Sequence, residues 1–363
     1  MKFADNDVVG GAFVVSYQHS MSSSSCNFRI VNCWSKAGIG TSIVLAYEHP
    51  KNGPKIVLDL GATPAFDHAI HASVVLLTHG HVDHVGAIFS HARAHKMSCG
   101  GSVPTYYLPK QILPLVQKAK EAMMALDAFG GRDGGILEMN LVGVAPGEEL
   151  VLPLKKNLDG KEVVVRIFRT SHGGCPSVGY AISTRLRQKL LKAEYRGLPG
   201  EALRDLARSG VELKEELIKE DFDVAYTGDT TVEALVDNPQ LWSRCHTIFC
   251  EATFLDATDT SRTMARDRGH MHVDDVVQVL QLSSNQRVVL MHISDRYAAQ
   301  QALDYLVEAI PSQIVDRVEV AVLSLNGGLQ FQDLARSGLV ALSAYTKQLN
   351  PKQINLPDDK KQP

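Results

Sequence analysis

Short apolar runs alternate with amphipathic segments along the chain, a pattern typical of an α/β protein. Helical spacing of apolar positions predicts helices at 84–95, 110–128, 272–282 and 297–309. Runs of apolar and β-branched residues predict strands at 8–17, 28–34, 41–47, 55–60, 73–77, 163–168, 178–183, 223–226, 247–250, 288–291 and 318–323. Strands open both halves and helices follow them, which predicts two mixed sheets with helices outside. We expect one domain over 1–330 and a partly disordered C-terminal extension over 331–363.

An insert at 185–219 interrupts the second half of this pattern. It has a helical pattern with a break at Leu198-Pro199-Gly200, and we expect an arm that projects from the domain. Five cations lie in its first twelve residues, with Glu194 as the only acid: Arg185, Arg187, Lys189, Lys192 and Arg196. Such a row is most often a solvated face, and a phosphate-binding surface is the alternative.

Composition narrows the classes of protein. The 363 residues carry 37 Lys+Arg and 40 Asp+Glu, a net charge of −3, which excludes a basic coat over the whole molecule. No apolar run approaches the roughly 18–20 residues that span a bilayer, so we expect no membrane association. The six cysteines are scattered and form no C-x-x-C pair, which favours reduced thiols. With no targeting signal evident, we expect an intracellular protein, cytoplasmic or nuclear.

Histidines and an aspartate cluster directly after the predicted strand at 73–77. His79 and His81 are two residues apart, so both rings can face one side of an extended loop. Asp83 and His84 follow where the chain enters a helix, and they can face a second point nearby. Imidazole and carboxylate suit Zn²⁺, Mn²⁺ or Fe. A polar loop that merely contains histidines is the alternative interpretation.

Three more candidates stand at the ends of predicted strands, and each alone could be a cap or a surface residue: His172, Asp229 and His292. These three residues follow the H-x-H-x-D-H motif in this order. With this arrangement the chain resembles the metallo-β-lactamase superfamily, whose fold is an αββα sandwich. The resemblance implies two divalent metal ions, zinc or alternatively manganese. One ion would be held by His79, His81 and His172, and the other by Asp83, His84 and His292. Asp229 would bridge them.

Further motifs narrow the resemblance to tRNase Z, and to its short plant-type form in particular. The matching segments are 168–172 with 177–180, 194–198 with 209–212, 226–231, 251–256, 269–272 and 292–297. Two positions depart from the usual family pattern. Cys250 stands where the family often has histidine, and Met271-His272 stands where it often has a Ser/Thr pair.

This resemblance implies an endoribonuclease that removes the 3′ trailer from precursor tRNA by hydrolysing a phosphodiester beside the acceptor stem. Asp83 would orient the attacking water, and His270, held by Glu251, would protonate the leaving oxygen. His272 is the competing acid, and a purely structural Glu251–His270 pair is the alternative. The resemblance also implies that the arm binds tRNA through the five cations named above. It suggests a homodimer in which the arm of one subunit presents tRNA to the site of the other.

Two other hypotheses stay open at this point. The first is a dimetal hydrolase of the same fold that acts on a small phosphodiester such as a cyclic nucleotide. The second is a non-catalytic RNA-binding scaffold, which a complete ligand set argues against. Removal of the arm separates the tRNA endonuclease from the small-substrate hydrolase, because only tRNA cleavage should then fall.

Overall fold

The structure is a computed structural model that describes residues 26–49, 53–128, 137–154, 158, 160–322 and 338–349. The strand predicted at 8–17 and most of the predicted C-terminal extension lie outside these ranges. No helix in the described ranges is long and apolar enough to cross a membrane.

A six-stranded sheet forms the first half, in the spatial order β1 to β6. Its strands are β1 (Phe28–Lys36), β2 (Gly40–Tyr47), β3 (Lys55–Leu60), β4 (Val74–Leu76), β5 (Thr105–Pro109) and β6 (Asn140–Val144). The first three strands run antiparallel, and β3 to β6 are parallel.

An eight-stranded sheet forms the second half, in the spatial order β7 to β14. Its strands are β7 (Glu149–Val151), β8 (Lys161–Arg169), β9 (Val178–Leu191), β10 (Lys214–Tyr226), β11 (Thr247–Glu251), β12 (Arg287–Met291), β13 (Val318–Ala321) and β14 (Leu339–Ala341). Strands β10 to β13 are parallel, and the edges are antiparallel. The prediction of two mixed sheets is confirmed.

Helices connect the strands, and most of them pack on the outer faces of the two sheets. They are α1 (Val82–Val85), α2 (Ile88–Ser98), α3 (Leu113–Asp127), α4 (Gly200–Arg208), α5 (Val232–Val236), α6 (Pro239–Trp242), α7 (Asp259–Arg268), α8 (Val273–Leu282), α9 (Ala299–Ala309) and α10 (Leu342–Leu349).

The strands near the centre of each sheet read as continuous apolar runs because both of their faces are buried. Leu58 and Leu76 from the first sheet meet Phe249 and Val289 from the second in one inner core. Neighbouring positions on the same strands point outward into two further cores beneath the helices. Each fully buried large aliphatic side chain contributes about 1.5–3 kcal/mol. These three core layers hold the strands in place. They therefore also fix the positions of the loops that follow the strand ends.

The insert is a ribbon rather than a helical arm. Strands β9 and β10 pair antiparallel from Tyr226↔Tyr180 to Lys214↔Leu191, and only Gly200–Arg208 near the tip is α-helical. Charges and apolar residues alternate with a period of two along β9, and Lys189 lies opposite Glu216. Cross-strand pairs of opposite charge favour such a ribbon. The helical pattern predicted over 185–219 was therefore wrong at both ends of the insert.

The second sheet continues beyond the boundary predicted at residue 330. Strand β14 pairs antiparallel with β13, and Leu342 and Tyr345 in α10 pack into the core beneath this sheet. Part of the predicted extension therefore belongs to the fold.

Candidate metal centre

All seven predicted metal ligands lie at one edge of the sandwich, in the loops and the short helix α1 that follow its strands. His79, His81, Asp83 and His84 follow β4, His172 follows β8, Asp229 follows β10 and His292 follows β12. Strands β8, β10 and β12 share one direction, so their carboxyl ends meet at the same edge. The fold thus brings together residues up to 213 positions apart in the sequence.

The first ligand set is a compact triangle of imidazole nitrogens. His81 Nδ1 lies 3.1 Å from His79 Nε2 and 3.1 Å from His172 Nε2. Zinc–nitrogen bonds of about 2.0–2.1 Å at tetrahedral angles place neighbouring ligand nitrogens about 3.3 Å apart. The triangle therefore has the dimensions of a metal-binding face.

The second ligand set consists of two residues in α1, Asp83 and His84, and of His292, which follows β12. His84 Nε2 lies 3.3 Å from His292 Nε2, and Asp83 Oδ2 lies 3.6 Å and 3.5 Å from these two atoms. His292 has a φ of 57°, and its backbone N–H donates to Ser35 Oγ over 3.0 Å. Non-glycine residues with positive φ are uncommon, and such strain clusters at functional sites.

Asp229 lies between the two sets. Its Oδ2 is 3.3 Å and 3.4 Å from His292 and His84 Nε2, and 3.8 Å from His79 and His172 Nε2. Burial acts to raise the pKa of Asp229, but the charges of His292 and His84 hold it well below its usual range. Its Oδ1 is buried without a hydrogen-bond partner among the described residues. A buried carboxylate oxygen left over beside five imidazoles fits a metal-bridging ligand, so the residues fit divalent cations.

Side chains behind the ligands fix their orientation. His84 Nδ1 donates to Asp59 Oδ2 over 2.7 Å, and His172 Nδ1 donates to the Gly269 carbonyl over 2.9 Å. His79 Nδ1 lies 3.0 Å from Thr78 Oγ1, which itself donates to Asp59. Each contact places the proton on Nδ1 and leaves Nε2 to face the metal.

Sequence reasoning missed Asp59 as part of this centre. It is fully buried, has a φ of 51° and accepts hydrogen bonds from Thr78, His84 and Tyr226. The available signal was one acidic residue inside the strand at 55–60, which is apolar at every other position after Lys55.

A carboxylate–imidazole pair stands beside the metal ligands. His270 Nδ1 lies 3.0 Å from Glu251 Oε2 and 3.9 Å from Asp229 Oδ2. Burial acts to lower the pKa of His270, but the charge and hydrogen bond of Glu251 raise it to about 9. The backbone N–H groups of Thr230 and Met271 donate to Glu251, so the carboxylate is fixed on three sides.

Sequence comparison shows to which family the chain belongs. The tRNase Z TRZ1 of Arabidopsis thaliana is 32% identical over 269 residues, which are 73% of this chain and 86% of that protein. The chain belongs to the tRNase Z family. The chloroplastic tRNase Z TRZ2 of the same plant is 28% identical over 279 residues, 76% of this chain and 71% of that protein. The predicted resemblance to tRNase Z is thereby confirmed.

Comparison with solved structures concerns the fold alone. The metallo-beta-lactamase fold protein YhfI from Bacillus subtilis superposes with a TM-score of 0.50 at 13% identity, over 81% of this chain and 95% of that one. This likeness shows the fold, so the predicted αββα metallo-β-lactamase sandwich is confirmed. No family model matches the chain.

The two departures from the tRNase Z pattern have structural explanations. Cys250 is fully buried in the core beneath the second sheet. His272 is the N-cap of α8: its Nδ1 accepts from the Asp274 N–H over 3.2 Å, and its Nε2 donates to the Asp256 carbonyl over 2.8 Å. Both ring nitrogens of His272 are therefore engaged, and its Nδ1 caps α8, a position where Ser or Thr is common. This favours His270 over His272 as the acid.

The five cations predicted to bind RNA are not equivalent in the ribbon. Arg185 is only 8% exposed and is paired with Glu149 and Glu162, at 2.8 Å and 2.5 Å. Arg187 shares Glu162 and also lies 3.6 Å from Glu216. Arg196 is exposed, with Glu215 at 3.7 Å. The side-chain amines of Lys189 and Lys192 have no hydrogen bond or ion pair within the described part of the chain. The structure thus assigns Arg185 to the packing of the sheet rather than to a free surface.

Proposed function

We propose that this chain is a metal-dependent endoribonuclease that removes the 3′ trailer from precursor tRNA. The bond hydrolysed is the phosphodiester next to the acceptor stem. One observation carries this proposal. Two ligand sets, which Asp229 connects, lie at one edge of the sandwich, and the Glu251–His270 pair lies beside them. The names of the curated relatives, tRNase Z, supply the substrate class.

We further propose two zinc ions, with manganese as the alternative, because imidazole and carboxylate are ligands that both metals accept. His79, His81 and His172 would hold one ion, and Asp83, His84 and His292 the other, with Asp229 shared. Such ions supply Lewis acidity that activates water and neutralises charge on the phosphate.

The residues of this chain supply positioning and proton transfer. Asp83 Oδ2 accepts the Gly38 N–H over 2.9 Å, which fixes the carboxylate where it can orient the attacking water. Glu251 holds His270 through Nδ1, so the Nε2 proton of the imidazolium is the one given to the leaving oxygen. Glu251 also accepts from the Thr253 hydroxyl, which lies 3.1 Å from His292 Nδ1. The proton donor and the second ligand set therefore share one support.

The ribbon is proposed to bind tRNA outside the metal centre. Residues 185–219 carry nine basic and six acidic side chains, a net charge of +3 in a chain of net charge −3. Arg185 and Arg187 donate to Glu162 over 2.5 Å and 2.9 Å, whereas Arg196 has only the longer ion pair with Glu215, at 3.7 Å. The proposal therefore rests on Lys189, Lys192 and Arg196. Phosphate contacts of this kind are sequence-independent and salt-sensitive.

Two further proposals concern assembly and compartment. A homodimer, in which one subunit's ribbon presents tRNA to the other's metal centre, follows from the family resemblance alone. Mixing a chain without residues 192–213 with an Asp229→Ala chain tests it, because only a dimer that shares sites in this way regains activity. Six free cysteines support a reducing compartment, the cytoplasm or the nucleus.

The test of the function compares two substrates in parallel. Purified protein is incubated with a precursor tRNA bearing a 3′ trailer and with bis(p-nitrophenyl) phosphate, with and without chelator. We expect cleavage after the acceptor stem that chelator abolishes. Asp83→Ala should lose both activities, and deletion of 192–213 should lose only tRNA cleavage. Hydrolysis of the small diester with intact RNA would instead indicate the small-substrate hydrolase.

A further inference from the structure

A cleft of about 660 Å³ opens beside the metal centre. One wall is the segment 169–178, which carries His172, and the other is formed by residues 233–238 at and after α5. The volume is within the range of about 300–1,000 Å³ typical of small-molecule sites. Since His172 belongs both to the cleft and to the first ligand set, an RNA strand held at the metal centre has a neighbouring nucleotide at this cleft.

Arg169 supplies a free cation on one wall. It is the last residue of β8, three positions before His172, and it is exposed. Its guanidinium has no hydrogen bond or ion pair with another described residue. Arg166, earlier on the same strand, instead contacts Glu220 and Glu149 at 2.5 Å and 2.9 Å. A guanidinium with unused donors is suited to bidentate binding of phosphate. Three residues span at most about 11 Å, so Arg169 is within reach of the phosphate next to the one at His172.

The opposite wall presents acceptors. Glu233 and Asp237 are exposed carboxylates, and the Asn238 side-chain amide donates to the Ala234 carbonyl over 2.9 Å, which leaves its oxygen available. Carboxylates repel a phosphate but accept hydrogen bonds from the exocyclic amino group of a base, as Glu and Asp do from cytosine. The backbone of a bound nucleotide therefore lies on the Arg169 side, and its base faces α5.

We propose that this cleft binds the nucleotide that flanks the scissile phosphate, with Arg169 on its phosphate and Glu233 selecting a base that carries an amino group. The proposal rests on the proposed function for its substrate. Adenine, cytosine and guanine have such a group, whereas uracil presents a carbonyl in its place. Arg169 is a positioning residue here, since it contacts a phosphate other than the reacting one.

Binding and cleavage are measured separately. Arg169→Gln is compared with Arg29→Gln, which removes the same charge from an exposed position near the start of β1. The dissociation constant for fluorescent precursor tRNA is measured between 50 and 200 mM salt, in chains that also carry His270→Ala so that the RNA stays intact. In otherwise wild-type chains, kcat/KM is measured for precursor tRNAs with each base on either side of the cleavage position. Hydrolysis of bis(p-nitrophenyl) phosphate reports on the metal centre itself.

We expect Arg169→Gln to weaken RNA binding about five- to ten-fold and to reduce the salt slope by roughly 0.7–0.9, the value for one lost phosphate contact. Its fold-loss in kcat/KM should be larger for RNA than for the small diester, and Arg29→Gln should change none of these. Uridine on one side of the bond should lower kcat/KM about ten-fold, and Glu233→Gln should remove that preference.

Equal dissociation constants and salt slopes for the two arginine variants would overturn the proposal. An Arg169→Gln variant whose loss is as large for the small diester would overturn it as well. Absence of tRNA cleavage by the wild-type chain would refute the proposed function. The binding comparison would still decide whether Arg169 contacts RNA.

Discussion

Replacement of Asp59 by asparagine tests how the second ligand set is held. Asp59 Oδ1 accepts the Thr78 backbone N–H over 2.7 Å, and its Oδ2 accepts the Thr78 hydroxyl, the Tyr226 hydroxyl and His84 Nδ1–H. The amide that replaces the Asp59 carboxylate would have only one oxygen, so its NH₂ group would face donors on one side. It would face either the Thr78 backbone N–H or the three donors that now bond to Oδ2. Hydroxyls can rotate to accept, and His84 can move its proton from Nδ1 to Nε2. We therefore expect the NH₂ group to take the place of Oδ2. His84 would then carry its proton on Nε2, the nitrogen that faces the metal site.

The expected loss of metal affinity follows from this change of the His84 tautomer. Loss of the outer partner of a metal-bound histidine typically costs about 10–100-fold in metal affinity, which is about 1.4–2.8 kcal/mol. Only the ion held by Asp83, His84 and His292 should weaken to this extent, because His79 keeps its contact with Thr78. Asp59→Asn should thus bind one ion at nearly wild-type affinity and the second weakly.

The assay is a metal titration of chelated protein, followed by calorimetry and by metal analysis after dialysis. Asp223→Asn is the matched control, because Asp223 is equally buried and hydrogen-bonded but contacts no ligand. Two ions bound to Asp59→Asn with wild-type affinity would refute the reasoning. So would an equal loss of affinity in the control variant.

Three other predictions concern proton transfer, helix capping and pH. His270→Ala should lower the single-turnover rate of tRNA cleavage by about 10²–10⁴-fold with both ions bound, and a rate within three-fold of wild type would exclude it as the acid. His272→Ala should cost about 1 kcal/mol of stability through the lost cap of α8 and leave that rate unchanged, and an unaltered melting temperature would contradict the capping role. Burial raises the pKa of Asp223 to about 6, so the folded state retains a proton that the unfolded state, with a pKa of about 3.9, releases. Stability should therefore fall by about 2 kcal/mol as the pH rises from 4 to 6, relative to Asp223→Asn, and parallel urea-midpoint curves for the two proteins would disprove this.

The metal ligands could be predicted because their signal is local. His79, His81, Asp83 and His84 lie within six residues, and His172, Asp229 and His292 each end a predicted strand. Their convergence requires only that parallel strands end at one edge of a sheet. The resemblance to the metallo-β-lactamase superfamily then implied two sets, and neighbouring side-chain nitrogens within each set lie 3.1–3.3 Å apart.

The partners of those ligands could not be predicted in the same way. Asp59 and Thr253 are residue types found throughout the chain, and only folding places them behind His84 and His292. The environment of Arg185 could not be predicted for the corresponding reason. The sequence displays its charge, but Glu149 and Glu162, which neutralise it, come from two other strands.

The secondary structure of the ribbon could not be predicted for a different reason. Residues along β9 alternate in polarity with a period of two, which is a strand signal. In the exposed part of the strand, however, only Leu186 and Leu190 mark the apolar side, too few to outweigh the helical pattern of the whole insert. Its stability comes from backbone pairing with β10 and from cross-strand charges, neither of which is visible in one segment alone.

Dependence of tRNA cleavage on metal stoichiometry tests the central claim most directly. Chelated protein is reloaded with zinc in steps, and single-turnover cleavage of a precursor tRNA with a 3′ trailer is measured at each step, with the cut site mapped. We predict that cleavage beside the acceptor stem follows occupancy of the second ion and is absent from Asp229→Ala at every ratio. A fully loaded protein, with two ions bound, that leaves precursor tRNA intact would contradict the account.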